Sequence, residues 1–324
     1  MARDNRIDSL KGFLIILVII GHVITSLDNV NTINHAVMGL IYVFHMPLFI
    51  LISGYLTKSP EQQTPNRMWR GVLNIFITLV VFQVITALRI SIRYHAFTAT
   101  LVDFPYGVLW YLMCLIYWRI VLYYTPRALL NRPWLYLGIT LAVSVLVGLS
   151  HLGNTLAIQR ALNFYFFFLL GYYYRQGVID KRWWNCNILH IATAVVLLPL
   201  VFWLYPHCGN VMNGADHYTL ADIPQKIMIL ACSVAMSLLV FNFMRDNKWL
   251  RAIGVDSLFY YLYHIILISM LLVPAVRQYD LPCTMPFVLV YSALITGLVF
   301  LMSKVQFFRW LVHPTFKLRS RNSQ

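Results

Sequence analysis

Three histidines lie within long apolar stretches of the sequence, and their side chains suit proton transfer or nucleophilic attack. His22 lies inside the apolar run from residue 12 to residue 23. An imidazole in hydrocarbon is costly, so it usually faces a cavity, a partner or a substrate. For His45 and His264, a hydrogen bond to a neighbouring helix is an equally good interpretation.

A lysine precedes His22 on the same predicted helix. Lys11 lies eleven residues earlier, and eleven residues make about three turns of an α-helix, a rise of about 16.5 Å. The two side chains are therefore predicted on one helical face. This spacing places a cation near one membrane surface and an imidazole deep in the bilayer, which suits the handling of a small group across the membrane.

Small and hydroxyl side chains accompany the other two histidines. The stretch that holds His45 continues to Ser53 and Gly54, which offer a small surface for close helix packing. In the other stretch, residues 257, 261 and 264 follow the spacing of one helix face. Ser257, Tyr261 and His264 could therefore form a polar site, or a Tyr–His pair that is satisfied inside the bundle.

Two arginines and two aromatic residues are further candidates. Arg67 and Arg70 are three residues apart on one helical face, where two guanidiniums can hold a phosphate. Ordinary enrichment of basic residues on the cytoplasmic side is the simpler explanation of this pair. Trp110 and Tyr111 could stack on a sugar, but aromatic belts at membrane interfaces use the same residues.

The composition predicts an all-α, polytopic membrane protein. Hydrophobic residues make up 60% of the chain and charged residues 11%, with a mean hydropathy of +0.69, whereas a soluble domain carries about 25% charged residues. Ten apolar stretches are long enough, or nearly so, to span a bilayer about 30 Å thick. They cover residues 8–27, 34–56, 71–92, 106–124, 134–150, 160–175, 187–205, 224–244, 257–276 and 284–303.

The distribution of basic residues sets the predicted orientation. With both termini in the cytoplasm, twenty of the 25 lysines and arginines fall on the inner side, as the positive-inside rule requires. The other five are Arg89, Arg93, Arg160, Lys226 and Arg277. The net charge of +14 is thus mostly a topological bias that also attracts anionic membrane lipid, and it predicts no nucleic-acid partner.

The remaining reactive residues narrow the function. The five cysteines show no metal-ligand spacing, so we expect no metal site. Cys208 and Cys283 both fall on the predicted outer side, where oxidation could pair them. We find no carboxylate in the middle of an apolar stretch, which disfavours a proton-coupled transporter. We expect a single membrane domain over residues 1–324.

The motifs, taken in order, resemble the acyltransferase-3 family of integral membrane acyltransferases, and within it the fucose 4-O-acetylase-like branch. The resemblance runs over nearly the whole chain and is carried by residues 8–22, 44–56, 109–119, 166–175 and 257–264. The family's first helix has an arginine, ten residues and then a histidine. Here Lys11 takes the arginine position and His22 the histidine position; lysine keeps the charge but lacks the bidentate fork. Arg67 and Arg70 match the family's basic pair.

The resemblance implies O-acylation, usually acetylation, of a saccharide hydroxyl at a bacterial inner membrane. It implies cytoplasmic acetyl-CoA as the acyl donor and a surface polysaccharide, or its lipid-linked glycan precursor, as the acceptor. Lys11, Arg67 and Arg70 would hold the donor's phosphates. His22 would act as a general base or as an acyl-carrying nucleophile, and both roles need a neutral imidazole. His45 and His264 are the further catalytic candidates, and Trp110, Tyr111, Ser257 and Tyr261 are the acceptor-binding candidates.

Two other functions fit the same topology. A transporter or flippase for a polysaccharide precursor would use the spans and the outer aromatic residues, although we find no inverted repeat in the sequence. A membrane sensor or scaffold without chemistry would leave His22 a structural histidine. Acyl transfer, transport and scaffolding place different requirements on His22, so the surroundings of His22 distinguish them.

Overall fold

The computed structural model describes residues 4–27, 31–94 and 104–312, with only the backbone for residues 93–94 and 201–213. Over these residues the chain is helical and contains no β-strand, which confirms the predicted all-α class. Ten helices coincide with the ten predicted apolar stretches. They are α1 (Asn5–Ser26), α2 (Thr32–Leu56), α3 (Pro65–Tyr94), α4 (Trp110–Tyr124), α5 (Pro133–Leu146), α6 (Ile158–Arg175), α7 (Asn187–Asn213), α8 (Ile223–Phe243), α9 (Ser257–Tyr279) and α10 (Met285–Met302).

Seven of these helices, α1–α4 and α8–α10, are long and apolar enough to cross a membrane. The segments Pro133–Leu149 and Asn187–Leu200 are apolar but shorter. Shorter α-helices lie between and after these ten, at Arg127–Leu130, Lys181–Trp184, Lys248–Val255 and Gln306–Val312. The chain is therefore a multi-pass membrane protein, while the count of ten spans and the cytoplasmic placement of both termini stay predictions.

Capping side chains fix where the first two helices begin. The Asp4 side chain accepts a hydrogen bond from the Arg6 backbone N–H at 2.9 Å, so α1 starts three residues before the predicted boundary. The Asn31 side chain does the same for the Asn34 N–H at 2.8 Å at the start of α2. The first helix is therefore long enough to include Asp8 as well as Lys11 and His22.

Helix α6 lies in the interior and packs against α2, α4 and α5. Its crossing with α2 depends on two glycines. A Cβ on Gly54 would lie 1.8 Å from the Phe168 carbonyl oxygen, and one on Gly171 would lie 1.9 Å from that of Leu51. Only glycine allows this approach, so the small surface predicted at Gly54 is indeed used for close packing.

Helix α1 is held between α2, α9, α10 and the helix Lys248–Val255. A Cβ on Gly12 would lie 1.9 Å from the Leu250 carbonyl oxygen, and one on Gly254 would lie 1.7 Å from that of Asp8. Within α9, a π-helical turn at Ile268–Leu272 separates Ser257–Leu267 from Val273–Tyr279. These contacts fix α1 against the first part of α9 and bring their histidines together.

The predicted pairing of Cys208 with Cys283 is not tested by the structure. The side chain of Cys208 lies outside the described residues. The disulfide therefore stays a prediction.

Candidate active site

A cavity of about 430 Å³ lies between six helices, α1, α2, α3, α4, α6 and α9. It is lined by the C-terminal part of α1, the C-terminal part of α3 and the N-terminal ends of α4 and α6. Because successive membrane helices run in opposite directions, these segments meet at one end of the bundle. In the predicted topology this is the outer end.

His22 lines this cavity one turn before the end of α1 and is half-buried. Its ring centroid lies 5.1 Å from that of His264 on α9. An apolar helix therefore presents its imidazole to an internal space, next to a second imidazole. This is an arrangement in which a substrate could meet a base or a nucleophile.

His264 lies directly behind His22 and has no exposed surface. Its Nδ1 lies 3.0 Å from the Tyr260 carbonyl oxygen. A carbonyl only accepts, so Nδ1 carries the hydrogen and Nε2 carries the lone pair. Nε2 is buried and has no hydrogen-bond partner among the described residues. A buried acceptor of this kind is costly unless a partner reaches it in some state of the protein.

His45 lines the same cavity from α2 and is 5% exposed. Its Nδ1 lies 2.7 Å from the Ile41 carbonyl oxygen, which fixes its tautomer in the same way as that of His264. The Tyr42 ring packs at 5.0 Å from the His45 ring. The structure thus brings all three predicted histidines to one place, with two of them oriented by backbone carbonyls.

The four predicted acceptor-binding residues divide into two pairs. Trp110 and Tyr261 line the cavity, and the Tyr261 hydroxyl donates to the Val108 carbonyl. Tyr111 does not line it, and its hydroxyl is hydrogen-bonded to Ser53 Oγ at 2.6 Å. Ser257 is buried at the start of α9, seven residues or about 10.5 Å along the helix from His264. Only Trp110 and Tyr261 are therefore placed to touch a ligand in this cavity.

Two arginines that the sequence predicts only as basic residues of the outer side also line this cavity. Arg89 reaches it from the C-terminal part of α3, and Arg160 reaches it from the start of α6. The Arg160 guanidinium carbon lies 5.2 Å from the centroid of the Trp110 ring, a cation–π distance. Their position within predicted membrane-spanning stretches was the signal that could have identified them.

A second, smaller cavity of about 130 Å³ lies at the opposite end of the bundle. Lys58, Arg67 and Arg119 line it, from the loop after α2, the start of α3 and the C-terminal part of α4. The Arg119 Nε is buried and has no hydrogen-bond partner within the part of the chain that the structure describes. Arg70 is exposed and is not part of the cavity wall. Of the predicted basic pair, Arg67 therefore lines the cavity and Arg70 does not. Arg119 is the second arginine in the cavity wall.

Lys11 lines neither cavity. Its Nζ lies 2.8 Å from Asp8 Oδ1, one turn earlier on α1, and Asp8 is 4% exposed. The carboxylate offsets the lysine charge inside the helix bundle. The structure thus assigns Lys11 an ion pair within α1, which the sequence spacing did not reveal.

Helix α3 contributes one arginine to each of the two cavities. Arg67 lies at its start and Arg89 near its end, 22 residues apart, which is about 33 Å along a helix. This is about the thickness of the hydrocarbon core of a bilayer. The described residues include no group of three or more His, Cys, Asp and Glu side chains that could hold a metal ion.

Comparison with known proteins identifies the family. The acyltransferase-3 family model, described as an acyltransferase domain, matches residues 4–306. Nodulation protein NolL of Sinorhizobium fredii is 29% identical over 191 residues, covering 55% of this chain and 50% of that protein. Nodulation protein NolL of Mesorhizobium japonicum is 30% identical over 217 residues, covering 60% and 56%.

The chain spans about half the length of the curated relatives it matches. No solved structure matches it significantly. The family match covers the helices that form both cavities, from α1 to α10. The chain therefore belongs to the acyltransferase-3 family, and residues 4–306 form its acyltransferase domain.

Proposed function

We propose that this protein is a membrane O-acetyltransferase that moves an acetyl group from acetyl-CoA to a saccharide hydroxyl. The acceptor is a surface polysaccharide or its lipid-linked precursor, and the enzyme is a single domain in a bacterial inner membrane with both termini in the cytoplasm. The observation that carries the proposal is the pair of cavities at opposite ends of the bundle, one basic and one holding His22. A donor from one side and an acceptor from the other need two such sites.

The smaller cavity suits the donor's phosphates. Lys58, Arg67 and Arg119 bring three cations to one place, and phosphate oxygens form strong charge-assisted hydrogen bonds with such groups. A volume of about 130 Å³ is below the several hundred Å³ that usually enclose a drug-sized ligand. It therefore holds the charged end of acetyl-CoA, and the acyl arm extends from it into the bundle.

His22 is the residue that acts on the acceptor hydroxyl. As a general base it removes the hydroxyl proton while the oxygen attacks the thioester carbonyl. A C–O bond forms, the C–S bond breaks, and CoA leaves and takes the proton. As a nucleophile it would carry the acetyl group as an acyl-imidazole before the sugar attacks. Both routes need a lone pair on the His22 nitrogen that faces the cavity.

His264 is the positioning residue for His22. Its Nε2 carries a lone pair, is buried with no partner among the residues described, and belongs to the ring next to His22. A hydrogen bond from a His22 N–H to this atom, tightened when substrates bind, leaves the lone pair of His22 on its other nitrogen. The backbone carbonyl of Tyr260 in turn orients the His264 ring by accepting a hydrogen bond from its Nδ1.

Removal of the His22 imidazole tests the proposal. We expect His22→Ala to lose all detectable acetylation while membrane insertion stays normal, because His22 lines the cavity half-buried whereas His45, in the same wall, is 5% exposed. The measurement is transfer of labelled acetyl from acetyl-CoA to glycans by purified protein, with mass spectrometry of surface glycans from the matching strains.

The exposed His151 provides a matched control, since it lies in a loop away from the cavity. His151→Ala should keep normal activity. Full activity in His22→Ala would contradict the proposed chemistry. If the glycan itself disappears from the surface of the mutant strain, rather than only its acetyl groups, the protein is a transporter.

A further inference from the structure

Two arginines reach the cavity of His22 from different helices. Arg89 on α3 and Arg160 on α6 both line it, and each is half-buried. A charged side chain inside a membrane-spanning bundle is costly, and such residues usually mark the path or the site of a charged substrate. Both arginines and His22 line the same cavity, so an acceptor whose hydroxyl reaches His22 brings its neighbouring groups beside two cations.

The charged side chains that the structure describes in the cavity wall, Arg89 and Arg160, are both basic. Among the described residues that line it, none is an aspartate or a glutamate. Asp216 acts electrostatically on Arg160, but it is not part of the wall. Apolar side chains such as Val18 and Ile265 form much of the remaining surface. Low-dielectric walls of this kind strengthen the field of the two cations inside the cavity.

The Arg160 guanidinium is held by an aromatic stack. It lies 5.2 Å from the Trp110 ring centroid, and Trp110 stacks on Phe164 with centroids 5.6 Å apart and an interplanar angle of 29°. A guanidinium fixed in this way loses less freedom when it binds, and its planar fork matches the oxygens of a phosphate or a carboxylate. The same Trp110 ring lies beside the space that a sugar would enter.

We propose that the acceptor is an anionic saccharide whose phosphate or carboxylate is bound by Arg89 and Arg160 while its hydroxyl faces His22. This inference rests on the O-acetyl transfer proposed above and specifies the acceptor class. The oxyanion is either the phosphate that joins a sugar to a lipid carrier or the carboxylate of a uronic acid. In both cases the sugar oxygen forms the ester bond and CoA leaves with the proton.

A competing role for the two arginines can be separated by experiment. They could stabilise the negative oxygen of the tetrahedral intermediate, which forms with every acceptor. Their loss would then slow transfer to neutral and charged acceptors by the same factor. Binding of an anionic acceptor instead predicts a loss confined to the charged acceptors.

The test compares three acceptors that share one sugar ring. Octyl β-galactoside is neutral, octyl β-galacturonide carries a carboxylate, and galactose joined to farnesol through a phosphate carries a phosphodiester. With full-length protein in detergent and labelled acetyl-CoA, we expect kcat/KM for one charged acceptor to exceed the neutral value by roughly 10- to 100-fold, the value of one or two charge-assisted hydrogen bonds. The better charged acceptor identifies the source of the oxyanion.

Arg89→Gln and Arg160→Gln should each reduce this preference to below about 3-fold, because glutamine keeps a donor but loses the charge. Arg277→Gln is the matched control, since Arg277 is exposed and lies on the same predicted side outside the cavity. It should leave the preference unchanged. Equal turnover of the three acceptors by the wild type, or an equal loss for all three in both glutamine variants, would overturn the proposal.

Binding separates this inference from the transfer reaction. Calorimetric titration of His22→Ala protein with the same three glycolipids measures the anion preference without turnover. Tighter binding of a charged acceptor that is lost in His22→Ala/Arg160→Gln supports the anion site. If that binding is seen but the wild type transfers no acetyl, the anion site stands and the proposed O-acetyl transfer is wrong. Equal binding of all three overturns the inference. Arg89→Lys and Arg160→Lys, which keep the charge, should retain part of the preference and control for misfolding.

Discussion

At the scale of single residues, the ring nitrogens of the histidines decide which proton can move. Two of the three are oriented by backbone carbonyls, His45 by Ile41 and His264 by Tyr260. These bonds leave Nε2 of each ring as an acceptor. His22 is the ring that faces the cavity with the unpartnered His264 Nε2 close behind it. A histidine that acts as a general base needs an oriented acceptor beside it, because a hydrogen bond to that acceptor fixes which of its ring nitrogens carries the hydrogen.

Substitution of His264 tests its positioning role. His264→Phe keeps an aromatic ring but removes both ring nitrogens, and we expect kcat to fall roughly 10- to 100-fold with little change in KM for acetyl-CoA. His264→Gln keeps an acceptor oxygen and should retain more activity. Steady-state kinetics of the purified variants measures both values.

Tyr260→Phe is the control for the surroundings of His264, because it keeps the backbone carbonyl that orients the ring. Its kcat should stay within about 3-fold of wild type. A purely structural role for His264 would show as equal losses in the Phe and Gln variants together with a lower unfolding temperature.

At the scale of secondary-structure elements, glycines determine how closely the helices that carry the site can approach. The α2–α6 crossing at Gly54 and Gly171 places His45 and Arg160 on facing helices of the cavity. The α1 crossing at Gly12 and Gly254 fixes the first helix against the helix that leads into α9. A side chain at either crossing would separate backbones rather than displace a flexible side chain.

Alanine at Gly171 should therefore destabilise the protein. Its Cβ would lie 1.9 Å from the Leu51 carbonyl oxygen, and overpacking of this kind costs about 1–3 kcal/mol. Thermal unfolding of the detergent-solubilised protein should show a lower midpoint and reduced acetyl transfer. Gly138→Ala on α5 is the matched control, since nothing lies within 4 Å of the added Cβ. An unchanged midpoint for Gly171→Ala would contradict the crossing.

At the scale of the whole molecule, two cavities lie at opposite ends of one bundle, and the proposed reaction assigns the donor to one and the acceptor to the other. Helix α3 contributes Arg67 to one and Arg89 to the other. A substitution at one end should therefore affect one substrate and leave the binding of the other unchanged. This separation follows from the length of α3 and does not depend on the identity of the acceptor.

Substitution of Arg67 tests the donor end. Arg67→Ala should raise KM for acetyl-CoA roughly 10-fold, the value of one charge-assisted contact, with KM for the acceptor unchanged. Arg70→Ala, three residues away but exposed and outside the cavity, should raise it less than 3-fold. Steady-state kinetics with each substrate varied in turn measures the effect. Equal effects of the two substitutions would place the phosphates elsewhere.

The sequence by itself determined the all-α membrane fold and the positions of the long helices, and it selected three histidines as candidates that the structure brings together. Hydropathy and helical spacing are local properties, so apolar runs such as 12–23 and the small surface at Gly54 can be read without knowing the fold. The family resemblance was also carried by short local motifs, and the match over residues 4–306 confirms it.

Only the tertiary structure decided which polar side chains share a space. It put Arg89 and Arg160 beside His22, replaced Arg70 with Arg119 next to Arg67, and paired Lys11 with Asp8. It also showed that Tyr111 and Ser257 do not line the cavity. Such choices depend on the order and rotation of packed helices, set by contacts between residues far apart in the chain, and no local pattern records them.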